Sequence, residues 1–194
     1  MRDTLSDEDL MARFQGGDRG AFATLMKRHL GGIYNFVARH TSVTMAEDLS
    51  QEVFLRVVER NSAFKHEAKF TTWLYAIARN LCVDTLRKMA HRRHPSLDEP
   101  LPAGGSLGDT VRDDHPSASA ERMAAGHEAA GTITATLEAM PEEQREVFLL
   151  REVGGLPFAE IAKVTGVPEN TVKSRMRYAL ERLRGGLDDG GGGA

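Results

Sequence analysis

The sequence predicts an all-α protein in which two small helical domains are joined by an extended, flexible linker. Apolar residues recur at helical spacing in residues 1–95 and again in 133–186, and no period-two run predicts a strand. Residues 96–132 hold three prolines, five glycines and few large apolar side chains, which is typical of a linker. Residues 187–194 are rich in glycine and have nothing to bury, so we expect this tail to be disordered.

The first two predicted helices have recognisable starts. Ser6, with Asp9 three residues later, resembles a capping box and predicts a helix that ends near Gln15. Asp18 is placed to cap the second helix, whose apolar positions continue past Gly31-Gly32. Because glycine weakens a helix interior, we expect a kink or a frayed segment there.

Two more helices complete the N-terminal domain. Thr44 is expected to cap the third, in which apolar side chains recur from Ala46 to Val57. The fourth is predicted over residues 67–91, with its apolar residues on one buried face. The lone cysteine, Cys82, lies in this pattern and is interpreted as a small buried residue rather than a reactive thiol.

The C-terminal domain is predicted from its prolines and glycines. Pro141 occupies the first turn of one helix, which Gly154-Gly155 should stop. Pro157 and Pro168 then open two further helices.

Residues 158–176 have the spacing of a helix-turn-helix. Ala162 is the small residue that two closely crossing helices need, and Gly166, four positions later, tolerates the positive φ of a sharp turn. The residues expected inside are Ile161, Val167, Val172, Met176, Ala179, Leu180 and Leu183. The second helix has a polar, basic outer face that suits the DNA major groove. Its candidate DNA contacts are Asn170, Thr171, Lys173, Ser174, Arg175 and Arg177. A helical hairpin with a solvated charged face is the alternative.

A second basic stretch covers residues 79–93, where five Lys and Arg side chains accompany one acid, Asp84. Aromatic residues precede it, a combination that suits single-stranded nucleic acid. Core packing is the favoured interpretation of Phe70 and Trp73. In contrast, Phe64–Lys69 has no helical apolar pattern and is expected to form a loop beside the basic helix.

The third predicted helix carries a mixed stripe. Asp48, Gln51, Glu52 and Leu55 recur at separations of three, four and seven residues, so they share one face. An acidic and apolar stripe suits docking onto a basic partner helix. A solvated surface face is an equally good interpretation of this pattern.

Charge is unevenly distributed along the chain. The formal net charge is −3, which at first argues against a nucleic-acid partner. However, residues 1–95 balance at +4, the linker at −5, and residues 133–194 at −2. Residues 79–93 and 170–184 each balance at +4, so the distribution indicates nucleic acid where the total does not.

Composition excludes several function classes. One cysteine excludes an internal disulfide, the histidines show no metal-ligand spacing, and no phosphate-binding or nucleophile motif is present. No apolar run is long enough to span a bilayer, and the acidic N-terminus lacks a secretory signal. We therefore expect a cytoplasmic protein that is not an enzyme and has no metal, no cofactor and no membrane insertion.

Four stretches carry a family resemblance by their order and spacing: Ala46–Phe54, Phe70–Asn80, Pro141–Phe148 and the helix-turn-helix. Together they resemble the extracytoplasmic-function (ECF) group of bacterial RNA polymerase sigma factors, which belongs to the sigma-70 family. The resemblance covers about residues 10–95 and 130–185. It implies a region 2 domain (1–95), which docks on core polymerase and recognises and melts the minus-ten element. It also implies a region 4 domain (133–186), which recognises the minus-thirty-five element.

The resemblance also implies site residues. Docking on the clamp helices of the polymerase's largest subunit would use Asp48, Gln51, Glu52 and Phe54, with Phe54 either at the contact or holding the helix. The minus-ten contacts would be Phe64, Lys65, Lys69, Asn80, Asp84, Arg87, Lys88, Arg92 and Arg93. The Phe64–Lys69 loop would take a flipped base. Members often carry Asn at the position of Asp84, so this acid would either alter base preference or pair with a neighbouring arginine.

The implied partners are core RNA polymerase, through its clamp helices and flap, promoter DNA, and an anti-sigma factor. In relatives the linker runs through the polymerase's active-site and RNA-exit channels, where Asp109, Asp113 and Asp114 would stand in for RNA phosphates. A stand-alone helix-turn-helix regulator is the alternative function. An enzyme with an attached DNA-binding domain is a third class, which no catalytic constellation supports.

Overall fold

The computed structural model describes residues 5–92 and 131–190, and all regular structure within these ranges is helical, as the sequence predicts. The helices are α1 (Asp7–Gln15), α2 (Arg19–His40), α3 (Val43–Glu59), α4 (Phe70–Arg92), α5 (131–138), α6 (Glu142–Glu152), α7 (Phe158–Thr165) and α8 (Glu169–Gly190). A 3-10 turn, Asn61–Ala63, precedes α4. We call α1–α4 the N-terminal bundle and α5–α8 the C-terminal bundle. Arg93, most of the predicted linker and residues 191–194 lie outside the described residues.

The first two helices begin where the sequence predicts. Ser6 Oγ accepts a hydrogen bond from the Asp9 backbone N–H at 3.1 Å and donates to the Asp9 carboxylate at 2.7 Å. Asp18 Oδ1 accepts from the backbone N–H groups of Gly20 and Ala21 at 2.9 and 3.2 Å. Both caps satisfy N–H groups that the helix itself leaves unpaired.

The glycine pair does not interrupt α2, which is continuous from Arg19 to His40, so the expected frayed segment is absent there. Gly32 lies where α4 crosses α2, and a Cβ on it would be 2.8 Å from the Tyr75 hydroxyl. The glycine therefore allows close packing of the two helices.

α3 starts earlier than predicted, and α4 starts later. Ser42, rather than Thr44, is the N-cap of α3. α4 begins at Phe70, three residues after the predicted start. Cys82 is fully buried in α4, and burial raises the pKa of its thiol to about 12, which agrees with a packing role.

The helix-turn-helix forms as the sequence predicts. Gly166 adopts φ 73°, in the left-handed region, and ends α7. Ile161 and Val172 are fully buried between α7 and α8. Leu180, in contrast, is 45% exposed, so its predicted place in the core is wrong. Its neighbour Ala179 takes the buried position, because successive helical residues point about 100° apart.

The last helix extends further than predicted. α8 continues to Gly190, so residues 187–190 of the predicted disordered tail are helical. Gly186 lies directly against Thr136 of α5, where no room remains for a side chain. This close contact packs the end of α8 on α5.

The two bundles meet along a seam, with α2 and α4 on one side and α6 and α7 on the other. The buried apolar core continues across the seam, from Leu74 to Leu150 and Leu156. Tyr75 Oη donates a hydrogen bond to the Val153 carbonyl at 3.2 Å. The two predicted domains are therefore in direct contact.

Candidate functional site

An open apolar groove of about 820 Å³ runs between α2 and α3. Four apolar side chains along it are substantially exposed: Met26 at 38%, Leu30 at 44%, Leu55 at 57% and Val58 at 39%. Apolar groups that remain exposed together mark a surface for a partner. The sequence indicates only Leu55 of these four, because the groove needs α2 and α3 side by side.

Of the four predicted docking residues on α3, Gln51 and Phe54 line this groove, whereas Asp48 and Glu52 do not. Asp48 and Gln51 are exposed. Glu52 is partly buried and accepts a hydrogen bond from Arg56 Nε at 2.9 Å. Phe54 is only 4% exposed, and its ring packs edge-on against the ring of Phe22 on α2. Phe54 therefore packs α3 against α2 and also lines the groove, so both of its expected roles stay predictions.

The loop predicted at Phe64–Lys69 lies between the 3-10 turn and α4. Phe64 itself is 3% exposed, with its ring centroid 5.9 Å from that of Phe70 and 5.4 Å from that of Trp73. The ring is therefore not available to stack on a base, contrary to the expectation for Phe64. The residues that follow, Lys65–Lys69, are all exposed.

The outer face of α4 is polar. Its exposed residues include Asn80, Asp84, Arg87 and Lys88. Among the described side chains none pairs with the Asp84 carboxylate, so the expected pairing with a neighbouring arginine is absent in this part of the chain. Arg92 belongs to the last turn of α4, and Arg93 lies outside the described residues.

Arg79 is the member of the basic stretch that faces inward. Its Nε donates to Glu146 Oε1 of α6 at 2.6 Å, and Glu146 is 5% exposed. His40 Nε2 lies 3.8 Å from the same oxygen, which is too long for a hydrogen bond. Burial alone would raise the pKa of the Glu146 carboxyl, but His40 and Arg79 lower it below its ordinary value. Arg79 thus joins the two bundles rather than facing DNA.

The first half of α8 carries the other basic face. Asn170, Lys173, Ser174 and Arg177 are exposed, whereas Thr171 and Arg175 are partly buried. Lys173 Nζ lies 2.7 Å from Glu169 Oε1. Arg177 Nε lies 3.8 Å from Glu181 Oε1. Both of these cations therefore have a partner within their own helix, exposed to water.

In the two described ranges, no three His, Cys, Asp or Glu side chains are grouped as metal ligands. None of the helices in those ranges is long and apolar enough to cross a bilayer. An apolar groove and two basic helix faces fit a protein helix and nucleic acid respectively.

Comparisons with known proteins identify the family. The sigma-70 region 2 model matches residues 25–93, and the sigma-70 region 4 model matches residues 130–183. The ECF RNA polymerase sigma-E factor of Escherichia coli (strain K12) is 31% identical over 189 residues, covering 94% of this chain and 95% of that protein. The ECF RNA polymerase sigma-E factor of Haemophilus influenzae is 30% identical over 191 residues, covering 94% and 96%.

Solved structures share the fold. CnrH in complex with the cytosolic domain of CnrY matches with a TM-score of 0.66 at 22% identity, covering 94% of this chain and 97% of that one. RpoE of Bartonella quintana, in complex with the anti-sigma factor NepR, matches with a TM-score of 0.66 at 20% identity, covering 86% and 96%. The chain belongs to the ECF group of the sigma-70 family, and it is a sigma factor that directs RNA polymerase to promoters.

Proposed function

We propose that the two bundles divide the work of promoter recognition. The N-terminal bundle docks on core polymerase and opens the minus-ten element, and the C-terminal bundle reads the minus-thirty-five element. The separate matches of region 2 and region 4 to residues 25–93 and 130–183 support this division. The polymerase supplies the chemistry, so the chain acts in the cytoplasm as a specificity subunit and not as an enzyme.

The groove between α2 and α3 is the observation that carries the docking proposal. Its exposed apolar residues and Glu47, an exposed acid in its lining, suit a helix that has an apolar stripe with Lys or Arg beside it. The clamp helices of the polymerase's largest subunit are the occupant that the family resemblance implies. Because Glu52 already pairs with Arg56, Glu47 and Gln51 are the charged and amide groups of α3 in the lining that are left to meet the partner, and Asp48 is exposed on α3 outside it.

The Lys65–Lys69 loop and the outer face of α4 form the proposed minus-ten site. The loop takes one flipped base, Asn80 and Asp84 contact the DNA further along the exposed face of α4, and Arg87 and Lys88 hold phosphates. Pulling a base out of the stack costs a few kcal/mol, which contacts of this kind must offset. Phe64 contributes by holding the loop from the core.

The exposed face of α8 is the proposed reader of the minus-thirty-five element. Asn170, Lys173, Ser174 and Arg177 lie on the first half of the helix, which is the part that a helix-turn-helix presents to base edges. Thr171 and Arg175 lie at the margin of this face. The flap of the polymerase is a further proposed contact of this bundle.

Docking is tested by removing an exposed apolar contact that the fold does not need. Leu55→Ser should weaken the affinity of the labelled full chain for core polymerase by about thirtyfold, which corresponds to the roughly 2 kcal/mol of an interface hot spot. Val43→Ser is the matched control, because Val43 is also exposed on α3 but does not line the groove. Equal affinities for both variants and the wild type would contradict docking at this groove.

An anti-sigma factor is a further proposed partner. RpoE of Bartonella quintana, which shares this fold, was solved with one, and CnrH was solved with the cytosolic domain of CnrY. A partner of this kind should compete with core polymerase for the chain. Adding it should therefore release labelled chain from the polymerase, and a stable three-way complex would contradict competition.

In vitro transcription with purified core polymerase across genomic fragments tests the function as a whole. A subset of fragments should yield discrete transcripts only when the chain is added. A stand-alone regulator would instead bind fragments without changing where core polymerase starts. On the fragments that respond, neutralising Asp109, Asp113 and Asp114 should lower initiation, and unchanged initiation would remove the proposed role of the linker.

A further inference from the structure

Gln15 of α1 holds the backbone just before the exposed loop Lys65–Lys69. Its side-chain Nε2 donates to the Asn61 carbonyl at 2.7 Å and to the Phe64 carbonyl at 3.1 Å. One amide group thus fixes two peptide planes at the entrance to the loop. Only a side chain with two N–H donors and this length makes both bonds.

Glu8, on the same helix, holds the backbone just after the loop. Its Oε1 accepts a hydrogen bond from the Phe70 N–H at 3.0 Å and lies 4.0 Å from Lys69 Nζ. This bond caps α4 from another helix, since Phe70 is its first residue. Within the described residues, Glu8 and Gln15 are the side chains from other helices that hydrogen-bond to the backbone of residues 61–70.

Helix α1 is itself firmly attached. Leu10 and Met11 are buried in the core. Asp7 accepts from Arg28 Nη1 at 2.8 Å and lies 2.6 Å from His29 Nε2, so α1 is also tied to α2. Because α1 is fixed to the core and to α2, its side chains hold the backbone at both ends of the loop in defined positions.

The loop depends on this support for a defined shape. Residues Lys65–Lys69 are all exposed, and one backbone bond, from the Ala68 N–H to the Lys65 carbonyl at 3.0 Å, lies within them. The buried rings of Phe64 and Phe70 fix where the two ends lie. The Phe64 N–H also donates to the Asn61 carbonyl at 3.2 Å, and the bonds from α1 add a hold on the Phe64 carbonyl and the Phe70 N–H.

We propose that Gln15 and Glu8 are positioning residues for base selection at the minus-ten element. By fixing the backbone at both ends of the loop, they set the shape of the opening that the flipped base enters. The proposal rests on the proposed function of the loop. A pre-shaped site discriminates between bases because a wrong base cannot be accommodated without breaking the bonds that hold the shape.

The test measures base selectivity at a promoter identified by the transcription experiment above. The promoter and its single-base variants at the minus-ten position with the strongest preference are transcribed by polymerase carrying each variant chain. Gln15→Glu keeps the length of the side chain but replaces the donating N–H groups with an acceptor that repels both carbonyls. The ratio of transcripts from preferred and non-preferred bases should fall by about tenfold, given two lost hydrogen bonds. The affinity for core polymerase should not change.

Arg13→Ala is the matched control, because Arg13 is an exposed residue of α1 whose ion-pair partner is Asp18 and not the loop. Amide hydrogen exchange of the free chain gives the second measurement. Residues 64–70 should exchange faster in Gln15→Glu than in the wild type and in Arg13→Ala. Unchanged selectivity with faster exchange would overturn the positioning role, and unchanged exchange would overturn the support itself.

Glu8 provides a conservative pair should Gln15→Glu fold poorly. Glu8→Gln keeps an oxygen that accepts from the Phe70 N–H and should retain selectivity, whereas Glu8→Ala should lose it. Equal selectivity for the two Glu8 variants would overturn the proposal. If the wild-type chain opens no promoter at all, the proposed function fails first, and that result is distinct from normal transcription with unaltered selectivity.

Discussion

Two ion pairs lie in opposite surroundings, one between the two bundles and one within the C-terminal bundle. At the seam, Arg79 Nε and Glu146 Oε1 are 2.6 Å apart, with side chains 24% and 6% exposed. On α8, Lys173 Nζ and Glu169 Oε1 are 2.7 Å apart, with side chains 52% and 44% exposed. The distances are nearly equal, but water screens one pair and protein surrounds the other. The length of an ion pair therefore says little about its contribution, which burial decides.

This difference suits the two tasks. A cation that must meet a phosphate has to leave its carboxylate at little cost, and an exposed pair within one helix contributes only about 0.3–0.5 kcal/mol. A buried carboxylate that accepts from Arg79 cannot be abandoned without leaving charge uncompensated in the interior. The α8 pair is thus exchangeable, and the seam pair holds α4 to α6.

Glu146→Ala should have the largest effect. It leaves Arg79 and His40 facing an empty space at the seam, and breaking a buried pair in this way costs about 3 kcal/mol of unfolding free energy. Urea unfolding measures the loss. Trp73, the single tryptophan, reports on the N-terminal bundle, while circular dichroism reports on all helices.

Glu146→Gln is the control for this prediction, because it keeps an oxygen that accepts from Arg79 and should cost less. If the seam couples the bundles, the fluorescence and dichroism transitions coincide in the wild type and separate in Glu146→Ala. A loss below about 1 kcal/mol for Glu146→Ala would mean that the buried pair contributes no more to stability than an exposed pair does. That result would contradict the claim that burial decides the contribution.

Acidification should weaken the seam next. The ordinary pKa of the carboxyl is 4.5, and the Glu146 pKa in the folded chain lies below it, so the unfolded chain binds more protons in this range. The stability from Glu146 is therefore complete above about pH 4.5 and is lost as the pH falls through the lower folded value. The wild type should lose stability more steeply there than Glu146→Gln, in which His40 and Arg79 remain. Parallel curves would contradict the sign of the shift.

Sequence reasoning succeeded where the cause is local. The Asp18 cap and the left-handed Gly166 each follow from a few neighbouring residues, and the structure confirms both. It failed where distant helices meet. Nothing near Arg79 in the sequence indicates that its partner is Glu146, 67 residues away. The sequence also could not predict that Met26 is exposed, because the groove exists only once α2 and α3 are side by side.

Phe64 shows how a correct segment can carry a wrong residue role. The lack of helical periodicity around it correctly predicts a loop, since that is a local property. Whether its ring faces water depends on Phe70 and Trp73, which receive it only after α4 packs. The Gln15 support was also beyond prediction, because its two carbonyl partners lie 46 and 49 residues away.

Tyr75→Phe should have an intermediate effect on stability. Because the Tyr75 contact is neutral, this effect distinguishes it from the charged Glu146 contacts at the seam. It removes the bond from Tyr75 Oη to the Val153 carbonyl, which at 3.2 Å contributes about 1 kcal/mol. Burial raises the pKa of Tyr75 to about 12, so the phenol remains a donor at lower pH. The loss should therefore not vary between neutral pH and the acid range that affects Glu146. Tyr178→Phe, on an exposed ring of α8, should leave stability unchanged.

Lys173→Ala should have the smallest effect on stability, about 0.3–0.5 kcal/mol, and a clear effect on DNA binding. Losing one phosphate contact lowers the slope of log affinity against log salt by about 0.9, measured with the full chain on a promoter fragment. Glu169→Gln should act in the opposite direction, because it frees Lys173 from its carboxylate and removes a negative charge near DNA. Both results are needed to show that the exposed pair is exchangeable. If Glu169→Gln leaves DNA affinity unchanged while Lys173→Ala lowers it, Lys173 binds its phosphate equally well with and without the Glu169 carboxylate. If neither variant alters the salt slope, Lys173 does not face DNA, and the pair on α8 serves only the helix that contains it.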